Sequence, residues 1–243
     1  MQAAIDAPAV QTVSFREAAS PAELCRSVLD AGFKRVELWS RHLERWPDLP
    51  VRMGDCGLRP VGLGIARLGD PSGDARWFDT ARAIGAAYLT ADFDASAFPA
   101  QVEDTAALAR AAGIAIAIHN HGAPHWLGNV RMLTRFLADA PPEFGLCLDT
   151  AWALDSREDP AAMIRTFAPR LRAVHLKDFA FDCGRNPREV LPGDGGLRLR
   201  EIQQALREAA FAGELVIETE APDLSPADAR ARAESFGLSL REV

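Results

Sequence analysis

Four short stretches end apolar runs with side chains that can do chemistry: I-A-I-A-I-H-N-H (114–121), F-G-L-C-L-D-T (144–150), R-A-V-H-L-K-D (172–178) and E-L-V-I-E-T-E (214–220). Successive residues of an extended chain face opposite sides, so Val174 and Leu176 share one face while Ala173, His175 and Lys177 share the other. A buried imidazole and ammonium cost several kcal/mol unless they are paired. Asp149, His175 and Glu218 together offer hard oxygens and one borderline nitrogen, a donor set suited to Mn2+, Co2+, Zn2+ or Mg2+. The other reading of the same trio is an ion-pair network, for instance His175 with Asp149.

Around this trio stand further candidates, each with a second reading. His119, His121 and His125 cluster in H-N-H-G-A-P-H, as ligands or general bases, or as a hydrogen-bonding loop. Glu37 can meet substrate or a partner arginine. Lys177 can polarise a carbonyl or hold a phosphate, or pair with Asp178 or Glu220. Trp39, Trp126 and Trp152 can wall a sugar ring or simply pack. The run L-P-G-D-G-G (191–196) reads as a lid or a plain turn.

The elements that would position these groups alternate along the chain. Strands are predicted at Val10–Phe15, Lys34–Trp39, Arg59–Ile65, Ala87–Asp92, Ile114–His119, Phe144–Asp149, Leu171–Leu176 and Glu214–Thr219. Amphipathic helices are predicted after each: from Ser20 as N-cap to Gly32, a stunted one within 41–58, then about 74–84, 97–112, 130–138, 159–167, 199–210 and 225–236. Eight strand–helix pairs point to a single (β/α)8 TIM barrel over residues 1–243 with a shortened second helix region. No phosphate-loop pattern supports an open doubly wound sheet instead. On each strand the bulky aliphatics would face the helices, and the small or ionisable residues the barrel axis.

Composition sets bounds. A net charge of −7 speaks against a general nucleic-acid binder. Cys25, Cys56, Cys147 and Cys183 are scattered and read as reduced thiols. The N-terminal residues lack a basic and an apolar region, and no run is long enough to span a membrane, so a cytoplasmic protein without membrane partners is expected.

In the order and spacing of G-F-K-R-V-E-L-W (32–39), I-H-N-H-G (118–122), L-D-T (148–150), V-H-L-K-D (174–178), the L-P-G-D-G loop and V-I-E-T-E (216–220), the chain resembles the xylose-isomerase-like barrel family. That family includes sugar phosphate isomerases and epimerases, with inosose dehydratases and endonuclease IV-type enzymes as relatives. The resemblance implies a divalent metal held by Asp149, His175 and Glu218. It departs at the fourth ligand, where members carry a Glu after H-N-H and this chain reads G-A-P-H-W; His125, His121 or a water is the expected substitute. A second departure places Trp152 where members have a His. The implied activity is isomerisation or epimerisation of a keto-sugar through an enediolate, with Glu218 and His121 or His125 moving the proton and Glu37, His119, Trp152 and Lys177 contacting substrate. β-Elimination from a keto-sugar, keto-glycoside or inosose is the alternative; a non-catalytic sugar-binding barrel is a further one, and homo-oligomers are a family habit.

Overall fold

In the computed structural model, which describes residues 7–238, eight parallel strands close into a barrel. They are β1 (Ala9–Gln11), β2 (Arg35–Trp39), β3 (Arg59–Leu68), β4 (Tyr88–Phe93), β5 (Ala115–His119), β6 (Phe144–Asp149), β7 (Leu171–Leu176) and, after a two-stranded hairpin of β8 (Asp178–Phe181) and β9 (Pro187–Val190), β10 (Glu214–Ile217). The order round the barrel is β1-β10-β7-β6-β5-β4-β3-β2, so β10 stands opposite β4. Among the described residues ten helices alternate with them: α1 (Pro21–Asp30), α2 (Ser40–Arg45), α3 (Leu49–Asp55), α4 (Pro71–Ile84), α5 (Val102–Ala112), α6 (Val130–Asp139), α7 (Thr150–Asp155), α8 (Pro160–Phe167), α9 (Leu199–Glu208) and α10 (Pro226–Ser235).

Parity along the strands decides what faces where. Ile116, Ile118, Leu146, Leu148, Val174, Leu176, Leu215 and Ile217 join the core under the helices, with Leu133 and Phe136 of α6 and Ile202 and Leu206 of α9. Tyr88, Ala117, Cys147 and Ala173 fill the barrel axis instead. Each large aliphatic buried this way contributes about 1.5–3 kcal/mol. A one-residue slip of β6 or β7 would therefore exchange Leu148 and Val174 for Asp149 and His175 in the helix layer, and register is held firmly. The axis has little room: a Cβ on Gly62 would lie 2.5 Å from the Tyr88 ring.

Seven local readings change. The first strand stops at Gln11, whose side chain accepts from Val13 N–H and turns residues 12–15 into a 3-10 turn. The third strand runs on to Leu68, and α4 begins at Pro71, capped by Asp70 rather than starting at Asp74. Before α5, Pro99 keeps Phe98 extended, so the helix begins at Val102 and not at Ala97. The predicted stunted helix is two short helices, α2 and α3. Behind Asp149 lies the short α7, and the polar loop after β7 folds into the β8–β9 hairpin. Among the described residues no helix is long and apolar enough to cross a membrane.

Candidate metal centre

The C-terminal ends of β5, β6 and β7 and the residue after β10 deliver His119, Asp149, His175 and Glu218 to one place. One ligand atom from each lies within 4.8 Å of all the others, and all four residues are buried. His175 Nδ1 is 2.8 Å from Glu218 Oε2, and His119 Nε2 is 3.7 Å from Asp149 Oδ2. Neither contact is aligned as a hydrogen bond: both His119 nitrogens, Asp149 Oδ2 and His175 Nδ1 are buried without a hydrogen-bond partner. Each such orphan costs about 1–3 kcal/mol. Converging lone pairs that do not satisfy one another are what a cation satisfies. Metal–ligand bonds of about 2.0–2.2 Å place donors at most about 4.4 Å apart across an ion, so a small contraction of this group would hold one. The residues fit a divalent metal.

The surrounding side chains explain the motif letters. Asn120 accepts from Asp149 N–H at 2.7 Å and donates to the Asp149 carbonyl at 3.0 Å, so the asparagine of H-N-H clamps the next strand's aspartate. Asp149 Oδ1 accepts from Trp152 N–H at 2.9 Å, capping α7 and leaving Oδ2 directed at the group. Thr150 Oγ1 donates to the Lys177 carbonyl at 2.6 Å and accepts from Lys177 N–H at 3.0 Å, tying β6 to the end of β7. Lys177 Nζ donates to Glu218 Oε1 at 2.9 Å and to Glu220, not to Asp178. Asp178 instead accepts from the N–H groups of Gly193, Gly195 and Leu197, shaping the glycine-rich loop. His175 Nε2 lies 3.1 Å from Glu37 Oε2, which also accepts from the Tyr88 hydroxyl at 2.7 Å.

These contacts set protonation. Burial would raise Glu218, but Lys177 and His175 outweigh it and hold the carboxyl well below its usual range. Burial would lower His175, yet it lies well above an ordinary histidine. We assign that to the Glu37 and Glu218 carboxylates, because the adjacent Cys147 thiol is itself pushed up to about 11 by burial and is neutral at pH 7. Lys177 resists the lowering effect of burial because Glu218, Asp149 and Glu220 surround it.

A row of imidazoles leads outward. Ring centroids are 5.2 Å apart for His175 and His119, 4.7 Å for His119 and His121, and 4.7 Å for His121 and His125. His125 Nε2 ends the row 3.0 Å from Asp92 Oδ1 at the tip of β4. Asp92, His121 and His125 also have donor atoms within 4.8 Å of one another. However, His125 Nδ1 accepts from Leu127 N–H at 3.2 Å, which puts the ring's proton on Nε2 and leaves that nitrogen no lone pair for a metal; Asp92 Oδ1, though 3.0 Å away, is not aligned to accept that proton. His121 is held neutral, its pKa pushed down to about 3 by burial and by His119 and His125.

Of the residues singled out in the sequence, His119 rather than His125 stands with Asp149, His175 and Glu218. Glu37 is fully buried against His175. Trp152 meets Phe179 edge-on at 5.2 Å, Trp126 donates to the Phe93 carbonyl among Phe98 and Phe136, and Trp39 packs on His42. Asn120, Tyr88 and Asp92 were not legible as site residues. The signals were there: Tyr88 is the sole tyrosine, and Asp92 ends a strand just as Asp149 does.

Residues 75–238, which supply the whole donor group, match the model of the xylose isomerase-like TIM barrel. The chain belongs to that family. Within it, the chain is 25% identical over 126 residues to the inosose dehydratase of Lacticaseibacillus casei, a match covering 46% of this chain and 42% of that protein. It thus spans less than half the length of this curated relative. The fold is shared with the D-psicose 3-epimerase of Clostridium cellulolyticum H10, solved with D-tagatose (TM-score 0.73, 15% identity, 96% of this chain and 99% of that one). It is shared as well with the IOLI protein, solved with a bound zinc atom (TM-score 0.75, 16% identity, 95% and 96% covered).

Proposed function

We propose that this xylose isomerase-like barrel is a divalent-metal-dependent sugar isomerase or epimerase. It would remove a proton next to the carbonyl of a small polyhydroxylated ketone and return it elsewhere. One observation carries the reading: groups able to move a proton reach the mouth from two separate parts of the barrel wall. Glu218 follows β10, while His121 follows β5, three strands away in a barrel of eight, with its ring 4.7 Å from those of His119 and His125. His119, Asp149, His175 and Glu218 would hold the metal. A divalent ion there would draw charge from the ketone oxygen and its neighbouring hydroxyl and acidify the intervening C–H. Glu218 is anionic through Lys177 and can accept that proton on its side. His121, neutral at pH 7, is the acceptor or donor on the other. Buried Asn120 and Thr150 keep Asp149 and Lys177 in place while this happens.

A second reading, β-elimination, is favoured by Lys177. An ammonium beside Glu218 can stabilise a departing oxygen, which two-base epimerisation does not need. The similarity to an inosose dehydratase supports the same reading.

The test is incubation of Mn2+-, Co2+-, Zn2+- or Mg2+-loaded protein with ketoses and inososes in D2O. Deuterium at the carbon next to the carbonyl, with an epimer or isomer formed and both lost in Glu218→Gln, is the expected result. A conjugated enone absorbance with loss of water would replace epimerisation by elimination. Tight sugar binding with no exchange from any of these substrates would overturn both readings in favour of a binding protein.

A further inference from the structure

Glu37 is a carboxylate sealed inside the barrel axis, on β2, with no Lys or Arg among its contacts in the described residues. Both of its protein hydrogen bonds are accepted at Oε2, from the Tyr88 hydroxyl at 2.7 Å and from His175 Nε2 at 3.1 Å, while Oε1 has no hydrogen-bond partner. A buried carboxylate left half-satisfied is costly, so its placement needs a reason other than its own solvation. The partner supplies one. His175 presents two nitrogens in opposite directions: Nε2 to Glu37, and Nδ1 to Glu218 Oε2 within the donor group. To ligate a metal the imidazole gives up one of its two protons and keeps the other. With the proton drawn to Nε2 by a carboxylate, Nδ1 is left as a lone pair aimed at the group.

We propose that Glu37 is a positioning residue of the metal centre: it fixes the His175 tautomer and ring so that Nδ1 is the ligand atom, and Tyr88 fixes Glu37. This rests on the metal reading above and adds the atom through which His175 binds and the two residues that select it. Tyr88 reaches Glu37 only because Gly62 on the intervening β3 has no side chain, a Cβ there coming within 2.5 Å of the tyrosine ring. The hydroxyl donates to the same oxygen that faces His175, which stops the carboxylate swinging away. Glu37 itself lies beneath the donor group and is fully enclosed, so substrate does not reach it. A carboxylate behind a ligating histidine raises the ring's basicity and fixes its orientation, and losing one costs about 10–100-fold in metal affinity.

The experiment measures Zn2+ and Mn2+ affinity by competition with a chromophoric chelator for the parent, Glu37→Gln and Tyr88→Phe, with circular dichroism to check folding. The expected result is folded variants, Glu37→Gln binding about 10–100-fold more weakly and Tyr88→Phe weakened less, in the same direction. A folded Glu37→Gln with parental affinity overturns the proposal while leaving the metal reading intact; a parent that binds neither metal overturns both. Should Glu37→Gln fail to fold, nitrogen NMR of the Zn2+-loaded parent decides: His175 protonated on Nε2 supports the proposal, and protonation on Nδ1 overturns it.

Discussion

Lys177 shows how one residue can hold a site and the fold together. Its ammonium is almost fully buried between Glu218 and Glu220, so replacing it with Met removes the cation and leaves Glu218 buried with His175 alone beside it. Breaking a buried pair from one side costs about 3–5 kcal/mol, and urea unfolding of Lys177→Met should show a loss of that order. A loss below about 1 kcal/mol would mean the pair is effectively solvated. His42 makes the opposite case, a buried histidine with no anion. It lies between Trp39 and Trp46, and burial, with Arg45, pushes it down to about 4. The unfolded chain protonates it near about 6.5. Between those values the unfolded state binds a proton the folded state refuses, so stability falls as pH drops from about 6.5 to about 4 and the loss is complete below that. Above about 6.5 it contributes no pH dependence. Unfolding free energies of the parent and His42→Gln across this window should show the shallower slope in the variant; parallel slopes would refute the assignment.

At the scale of elements, the least legible part of the chain is the best held. Residues 178–197 read as a polar loop because charged and glycine residues mask any alternation, yet they form the β8–β9 hairpin and a turn organised by Asp178. The Asp178 carboxylate accepts from Gly193, Gly195 and Leu197, and a Cβ on Gly195 would strike the Phe179 carbonyl at 2.5 Å. Asp178→Ala orphans three N–H groups and should cost about 3 kcal/mol. Hydrogen exchange should quicken at those three amides and across the hairpin while β5 and β6 stay protected; unchanged exchange would show the loop folds without the carboxylate. By contrast, the eight barrel strands could be read from parity, since Ile116/Ile118 against Ala117/His119 has one sensible orientation. The same parity favours His119 as the group's fourth member, because it lies on β5's inner face. H-N-H-G-A-P-H alone could not choose, because what draws His125 aside is Asp92 on β4 and the Leu127 amide, contacts made only by folding.

For the whole molecule, the polar interior makes stability conditional on what fills it. Among the described residues, Glu37, Asp149, Glu218 and Glu220 crowd against Lys177 and His175, so with His175 neutral, as a metal ligand must be, the inner mouth carries an excess of three negative charges. A divalent cation cancels most of that excess and satisfies the orphaned donor atoms, but only in the folded state, where the four strands converge. Binding to the folded state alone stabilises by about 2.7 kcal/mol when free metal is a hundredfold above its dissociation constant. For a chain of this size each kcal/mol moves the melting temperature by about 2–4 °C, so metal should raise it by about 5–11 °C and a chelator should reverse the rise. His119→Ala and Asp149→Ala should lose this increment. His125→Ala should keep it, because its Nε2 carries the ring proton and the ring lies outside the four-residue group. The opposite pattern, with the increment surviving in His119→Ala and vanishing in His125→Ala, would move the fourth ligand outward along the imidazole row. A parent whose melting is indifferent to Mn2+, Co2+, Zn2+ and Mg2+ would leave the charges balanced by solvent and the ion-pair network as the reason for the cluster.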